Sequence, residues 1–212
     1  MLTRLKNLVP GVGLVACLLT GRLVLAQEVR VLDTDPVLAR ITSASMTAGT
    51  LNYTVENVST TRFERFAASL FVYSAEGAAR AGASWCGAVD LGPGARLDFV
   101  KEVPFSANPD DRAVVMLTSV VGDRKRWALD SVSAWSAAKL DIMGRKSYLP
   151  LRVQAQEGAS PLANACDPGW CTQCRQDALA SCGPGNIKSY TCSVGQTCTC
   201  TFTCGCAGNN CK

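Results

Sequence analysis

Sulfur is the reactive element of this 212-residue chain, which has twelve cysteines and no histidine. Ten of the cysteines, Cys166, Cys171, Cys174, Cys182, Cys192, Cys198, Cys200, Cys204, Cys206 and Cys211, fall within the last 47 residues. Thiols at that density can crosslink, hold a metal ion, or cycle between thiol and disulfide. Without histidine there is no Ser-His-Asp triad, no Cys–His nucleophile, and no His-ligated zinc or iron. Carboxylates alone could still hydrolyse a glycoside, yet no Asp/Glu pair stands in a recognisable motif. The expectation is a protein that binds rather than catalyses, with no catalytic residue, metal or cofactor assigned.

Crosslinking is the leading use of the tail cysteines. Apart from Trp170, Leu179, Ile187, Tyr190, Val194 and Phe202, the tail has few large apolar side chains. A segment so small and core-poor needs crosslinks or metals to order itself. Each disulfide contributes about 2–4 kcal/mol by constraining the unfolded chain. The first alternative is an exported Cys-thiolate metal-binding protein, since zinc and iron–sulfur clusters accept four thiolates. The Cys-x-Cys pairs resemble those of metallothioneins, although Trp170, Tyr190 and Phe202 do not. The second alternative is a thiol–disulfide redox protein using Cys171 and Cys174. Their Cys-x-x-Cys spacing is the one that redox enzymes place at a helix start to lower a thiol pKa. No strand–helix–strand pattern surrounds it. A toxin-like role would need a basic amphipathic surface, but Arg175, Lys188 and Lys212 face Asp167 and Asp177, a net of +1.

The spacing also predicts the elements that must hold these sulfurs. Thr172 to Ser181 is rich in helix formers and stops at Gly183-Pro184-Gly185. In a helix, Cys171, Cys174, Ala178 and Cys182 share one face. Cys198, Cys200, Phe202, Cys204 and Cys206 recur at period two, with Thr197, Thr199, Thr201 and Thr203 between them. An extended strand therefore points every sulfur one way and every hydroxyl the other. A Cys-lined helix facing a Cys-lined strand is a small disulfide-rich α+β module. It is similar in principle to defensin-like folds, but that family has three residues between its helix cysteines, so its pairing does not transfer.

Residues 28–155 have a different character, with one cysteine and several strand patterns. Leu51, Tyr53 and Val55 alternate with Asn52, Thr54 and Glu56, which predicts a half-buried strand. Phe66 to Tyr73 and Ala113 to Val121 are apolar on both faces and are expected at the centre of a sheet. Ala75-Glu76-Gly77, Gly92-Pro93-Gly94 and Gly122-Asp123 are turn signals, and Asp130-Ser131 could cap a short helix bearing Val132, Trp135 and Ala138. Turns at about 8–12-residue spacing suggest two packed antiparallel sheets.

Asn57-Val58-Ser59, Leu70 to Gly77, and Asp90-Leu91-Gly92-Pro93-Gly94 together resemble the immunoglobulin-like modules of exported bacterial proteins. The resemblance covers about 50 residues and is strongest to modules with a Phe-x-Leu-Tyr-Asp strand, with Ser74 in place of the Asp. It implies a mainly β, antiparallel immunoglobulin-like β-sandwich with an accessory or binding role, and it brings no catalytic residues. Fold alone does not set function.

The first 26 residues read as a signal peptide. Arg4 and Lys6 precede an apolar stretch from Leu8 to Leu19, and Val24-Leu25-Ala26 offers a cleavage site before Gln27. Leu14-Val15-Ala16-Cys17 also looks like a bacterial lipobox, which would lipidate Cys17 and tether the chain to a membrane. Retention of the leader as an anchor is a third outcome. Each places the body of the protein outside the cytosol, periplasmic or secreted. The formal charge of +4 misleads: without Arg4, Lys6 and Arg22, 18 basic residues face 17 acidic ones. Such a chain builds no basic stripe for nucleic acid, and Arg124-Lys125-Arg126 reads as a solvated hairpin tip. The expected partner is a protein or cell-surface ligand, with a membrane only through Cys17 or a retained leader. The domain expectation is a sandwich over 28–155, a linker over 156–165 and a cysteine-rich module over 166–212. Cleavage after Ala26 leaves eleven cysteines, an odd number, and Cys86 is the candidate free thiol.

Overall fold

The computed structural model of the chain describes residues 26–129, 131–145, 149–155, 169–195 and 197–205. The expected leader up to residue 25 with Cys17, the linker, and Cys166, Cys206 and Cys211 lie outside them. Eight strands come first: β1 (Gln27–Leu32), β2 (Ala39–Thr47), β3 (Thr50–Asn57), β4 (Phe63–Tyr73), β5 (Ala79–Leu91), β6 (Arg96–Glu102), β7 (Arg112–Gly122) and β8 (Lys125–Ala128). Helix α1 (Ser131–Ile142), β9 (Arg152–Ala155), helix α2 (Trp170–Cys182), β10 (Ile187–Ser193) and β11 (Cys198–Cys204) follow. The fold is mainly β. Its strands join in the order β10-β11-β5-β4-β7-β1-β2-β3-β6, with β8 pairing to β7 and β9.

The alternation in the sequence explains why the sheet has two occupied faces. On β4, Phe66, Ala68, Leu70 and Val72 enter one core, while Phe71 and Tyr73 enter another on the opposite side. On β7, Ala113, Val115 and Leu117 face the first core, and Val114 and Met116 face the second. Both strands are central, as their two-sided apolar pattern predicts. On β3, Leu51, Tyr53 and Val55 are buried and Asn52 is exposed. Two-residue turns reverse the chain at Ala48-Gly49 (φ 48° and 85°) and at Asp123-Arg124 (φ 49° and 56°). Two consecutive positive φ values match the right-handed twist of the flanking strands. The Arg124-Lys125-Arg126 run accordingly spans this tip and the start of β8.

The sheet curls so that β2, β3 and β6 lie over the inner face of β4, β5 and β7, with side chains of both limbs in one core. The Tyr53 ring lies 5.6 Å from Trp85 and 6.5 Å from Phe66, and its hydroxyl accepts a 2.7 Å hydrogen bond from Trp85 Nε1. Strand β1 makes the connection. Gln27 and Glu28 pair antiparallel with β2, whereas Val29 to Leu32 pair parallel with β7. A purely antiparallel arrangement is therefore corrected at this pair. The reason is geometric: β8 occupies only the second half of that edge of β7, and a strand crossing between the limbs takes the first half.

The tail contributes strands to the same sheet. The change of composition near residue 155 does not divide the sheet, because β11 pairs with β5 from Cys198 opposite Cys86 to Thr203 opposite Ala81. Cys174, Ala178, Cys200 and Phe202 share the outer core with Phe71, Tyr73, Val114 and Met116. Left alone, β5 would present an open edge of unpaired backbone groups, and the tail would have no core of its own. Docking resolves both.

Candidate binding surface on a disulfide-backed hairpin

Helix α2 starts after Gly169 (φ 91°) and ends where the Gly183 N–H (φ 83°) donates to Leu179 O, the glycine stop expected from the sequence. Its cysteines face the β10–β11 hairpin. Three disulfides join them: Cys171–Cys192, Cys174–Cys200 and Cys182–Cys204, with Cα separations of 5.7, 6.1 and 5.1 Å. Cys198 is disulfide-bonded as well. Cys174 and Cys200 are buried, while the other two bridges are half-buried. Tyr190 adds a polar tie, its hydroxyl donating to Cys171 O at 2.7 Å.

The Cys171-x-x-Cys174 pair does not close on itself; each sulfur bonds to a different strand of the hairpin. Sulfurs held in these bonds are not thiolates and are not ligands in this state. Among the described residues, no group of three or more Cys, Asp or Glu side chains is placed to hold a metal ion. Cys86 is buried on β5 directly opposite Cys198, in a cluster with Ala67 against which Trp170 packs.

The other face of the hairpin is a grid of hydroxyls. The strict alternation of β11 turns Cys198, Cys200 and Phe202 inward and leaves Thr199, Thr201 and Thr203 half-exposed. Across the ladder stand Ser193, Thr191 and Ser189, all exposed. Ser189 and Thr203 share a 2.6 Å hydrogen bond, and Ser193 and Thr199 one of 2.8 Å. These pairs fix the side chains and leave lone pairs toward solvent. The threonine half is the one expected from the sequence; the β10 half is new, although Ser189, Thr191 and Ser193 recur at the same period of two. These six side chains carry no charge, and disulfides to α2 lie behind them.

Elsewhere the polar groups serve the fold. Asn57 is fully buried; its amide donates to Thr61 O at 2.7 Å and Leu91 O at 2.9 Å and accepts from Ser59. Arg62 pairs with Asp90 at the surface and holds that carboxyl below the usual carboxylate range. Burial pushes the Tyr53 and Tyr73 phenols well above theirs. Among the described residues no helix is long and apolar enough to cross a membrane. Comparison with protein-family models, curated proteins and solved structures finds no match to this chain.

Proposed function

We propose that the chain is an exported, non-catalytic accessory protein that binds a protein or cell-surface ligand through the hydroxyl face of β10 and β11. The single observation behind this reading is the opposition of two faces on one hairpin: disulfides toward α2, and an uncharged Ser/Thr grid toward solvent. A surface pre-stiffened in this way loses little conformational entropy on binding. The three disulfides fit an oxidising compartment, and the sequence supplies an export leader to reach it, with Cys17 as the lipidation candidate. The curled sheet is read as an immunoglobulin-like β-sandwich. Asn57 supports that reading, since it bonds to Leu91 and so ties together two of the sequence blocks that carry the resemblance.

The test has two arms. The full chain expressed in a bacterium is expected outside the cytosol, with a mature mass that begins at Gln27 or at a lipidated Cys17; an unprocessed cytosolic chain overturns export. Fluorescently labelled mature protein is then titrated onto isolated cell envelopes. The double substitution Thr191→Lys/Thr201→Lys is expected to weaken binding at least about tenfold, or about 1.4 kcal/mol, with the strand signature in circular dichroism retained. Equal binding by both proteins overturns the assigned face.

A further inference from the structure

Four sulfurs between α2 and the hairpin can be joined in two ways. Cys171 and Cys174 are one turn apart on the same face of α2, and they bond to Cys192 and Cys200. Those two partners stand directly opposite one another in the β10–β11 ladder. Residues opposed in this way have Cβ atoms about 4.5–5.5 Å apart, and helix residues three apart about 5–6 Å, so small adjustments bring either pair within reach of a disulfide. The structure holds the crossed pairing, in which helix is bound to hairpin. The uncrossed pairing, Cys171–Cys174 and Cys192–Cys200, contains the same number of disulfides but binds each element only to itself.

We infer that these four cysteines form a disulfide-isomerisation latch, which an external thiol opens without net oxidation or reduction. The entry point is the Cys171–Cys192 bridge, because both its residues are half-buried while Cys174 and Cys200 are 3% and 1% exposed. An attacking thiolate bonds to Cys192 Sγ, and Cys171 leaves as a thiolate. Cys171 lies in the first turn of α2, where the helix N-terminus stabilises negative charge and makes it the better leaving group. The Cys171 thiolate then attacks Cys174 Sγ, forming Cys171–Cys174 and releasing the Cys200 thiolate. Cys200 attacks Cys192 Sγ, forming Cys192–Cys200 and returning the external thiolate. Two disulfides are broken and two are formed, so no oxidant is needed.

The consequence is conformational. In the crossed state α2 is fastened near both ends, with Cys182–Cys204 as the distal bridge. In the uncrossed state, among the described residues, Cys182–Cys204 is the bridge that still joins α2 to the hairpin. The first turns of α2 can then swing out, opening the core that Cys174 and Ala178 share with Phe71 and Met116. A β10–β11 hairpin stapled across its own strands keeps its hydroxyl face throughout. The latch therefore exposes apolar surface without dismantling that face.

The test uses the intact oxidised protein, exposed under native conditions to a catalytic amount of 2-mercaptoethanol. The reaction is quenched with acid and alkylated, and the chain is cut before aspartate without reduction. Cleavage at Asp167 and Asp177 yields a fragment, Asp167 to Gln176, whose only cysteines are Cys171 and Cys174. Before exposure this fragment is expected to be wholly crosslinked to the hairpin. After exposure it is expected free, lighter than its dithiol form by the hydrogens of one internal disulfide and carrying no alkyl group. A fragment that stays crosslinked overturns the latch. So does one released only as the alkylated dithiol, since that is plain reduction, and so does one already closed on itself in the untreated protein.

Discussion

Phe202 on β11 stands directly opposite Gly82 on β5, and its ring fills the volume that a side chain at Gly82 would need. A Cβ placed there would lie 2.6 Å from Phe202 Cε1. On the other side of Gly82 stands Phe71 of β4, so two rings in the outer core flank a glycine. Gly82 is thus the socket through which the tail hairpin joins the main sheet, at the cost of a residue that weakens a strand on its own.

This pair makes the first prediction. Gly82→Ala overfills the socket and is expected to destabilise the protein by about 1–3 kcal/mol, and Phe202→Ala empties it at a cost of about 3–5 kcal/mol. In the double variant the added methyl meets no ring, so the two effects are expected to fall short of additivity by about 0.5–3 kcal/mol. Urea unfolding of the four proteins measures the cycle. Strict additivity would show that the contact does not dock the hairpin.

Part of this architecture was legible in the sequence, and the limit has a physical cause. Period-two apolar patterns placed β3, β4 and β7 and told their faces apart, because burial on a pleated strand follows every second residue. The alternation of Cys and Thr on β11 and the glycine stop of α2 were equally local. Nothing local marks β5 as the acceptor of β11: Ala81 to Ser84 is small and weakly patterned, and only pairing across more than 100 residues reveals that Gly82 awaits a ring. Composition likewise separated the cysteine-rich tail from the rest, while backbone hydrogen bonding, which is indifferent to composition, joined them. The switch of β1 from antiparallel to parallel pairing is invisible for the same reason. The disulfide partners also depend on how hairpin and helix face one another, which spacing alone left open.

The three bridges are expected to differ in strength although they close loops of similar length, 21, 26 and 22 residues apart. Loop entropy alone gives each roughly 3 kcal/mol. The Cys174–Cys200 bridge also fills the outer core beside Ala178 and Phe202, so Cys174→Ala/Cys200→Ala leaves a cavity as well. Its denaturation midpoint is expected below those of Cys171→Ala/Cys192→Ala and Cys182→Ala/Cys204→Ala. Equal midpoints for all three would mean that the bridges act only on the unfolded chain.

Asn57 offers a test of the inner limb. Its side chain satisfies two backbone carbonyls and accepts from Ser59 in a fully buried position. Asn57→Ala takes the Asn57 donor from the buried Leu91 O, at a cost of about 1–3 kcal/mol, while Thr61 O keeps the Ser59 hydroxyl as a donor. A drop in the urea midpoint with an unchanged m-value is the expected result. A loss below about 0.5 kcal/mol, the range of an ordinary surface change, would mean that solvent reaches the site.

The buried tyrosines set the alkaline limit of stability. Tyr53 and Tyr73 have pKa values raised by burial, which disfavours the phenolate; for Tyr53 the hydrogen bond from Trp85 opposes this only in part. In the unfolded chain both ionise near their ordinary value of about 10. Above that pH the unfolded state has lost protons that the folded state keeps, so ∂ΔG/∂pH for unfolding is negative. The stabilisation is complete below pH 10 and declines as pH climbs toward the folded-state values. Thermal midpoints are therefore expected to hold steady from about pH 8 to 10 and to fall beyond it, with phenolate absorbance appearing together with unfolding. Tyr53→Phe removes one of the two titrations and should make the alkaline fall shallower, while lowering stability at neutral pH by about 1–3 kcal/mol because Trp85 Nε1 loses its acceptor. If phenolate absorbance from all tyrosines instead rises near pH 10 in the folded protein, Tyr53 and Tyr73 are open to water and the inner and outer cores are not closed around them.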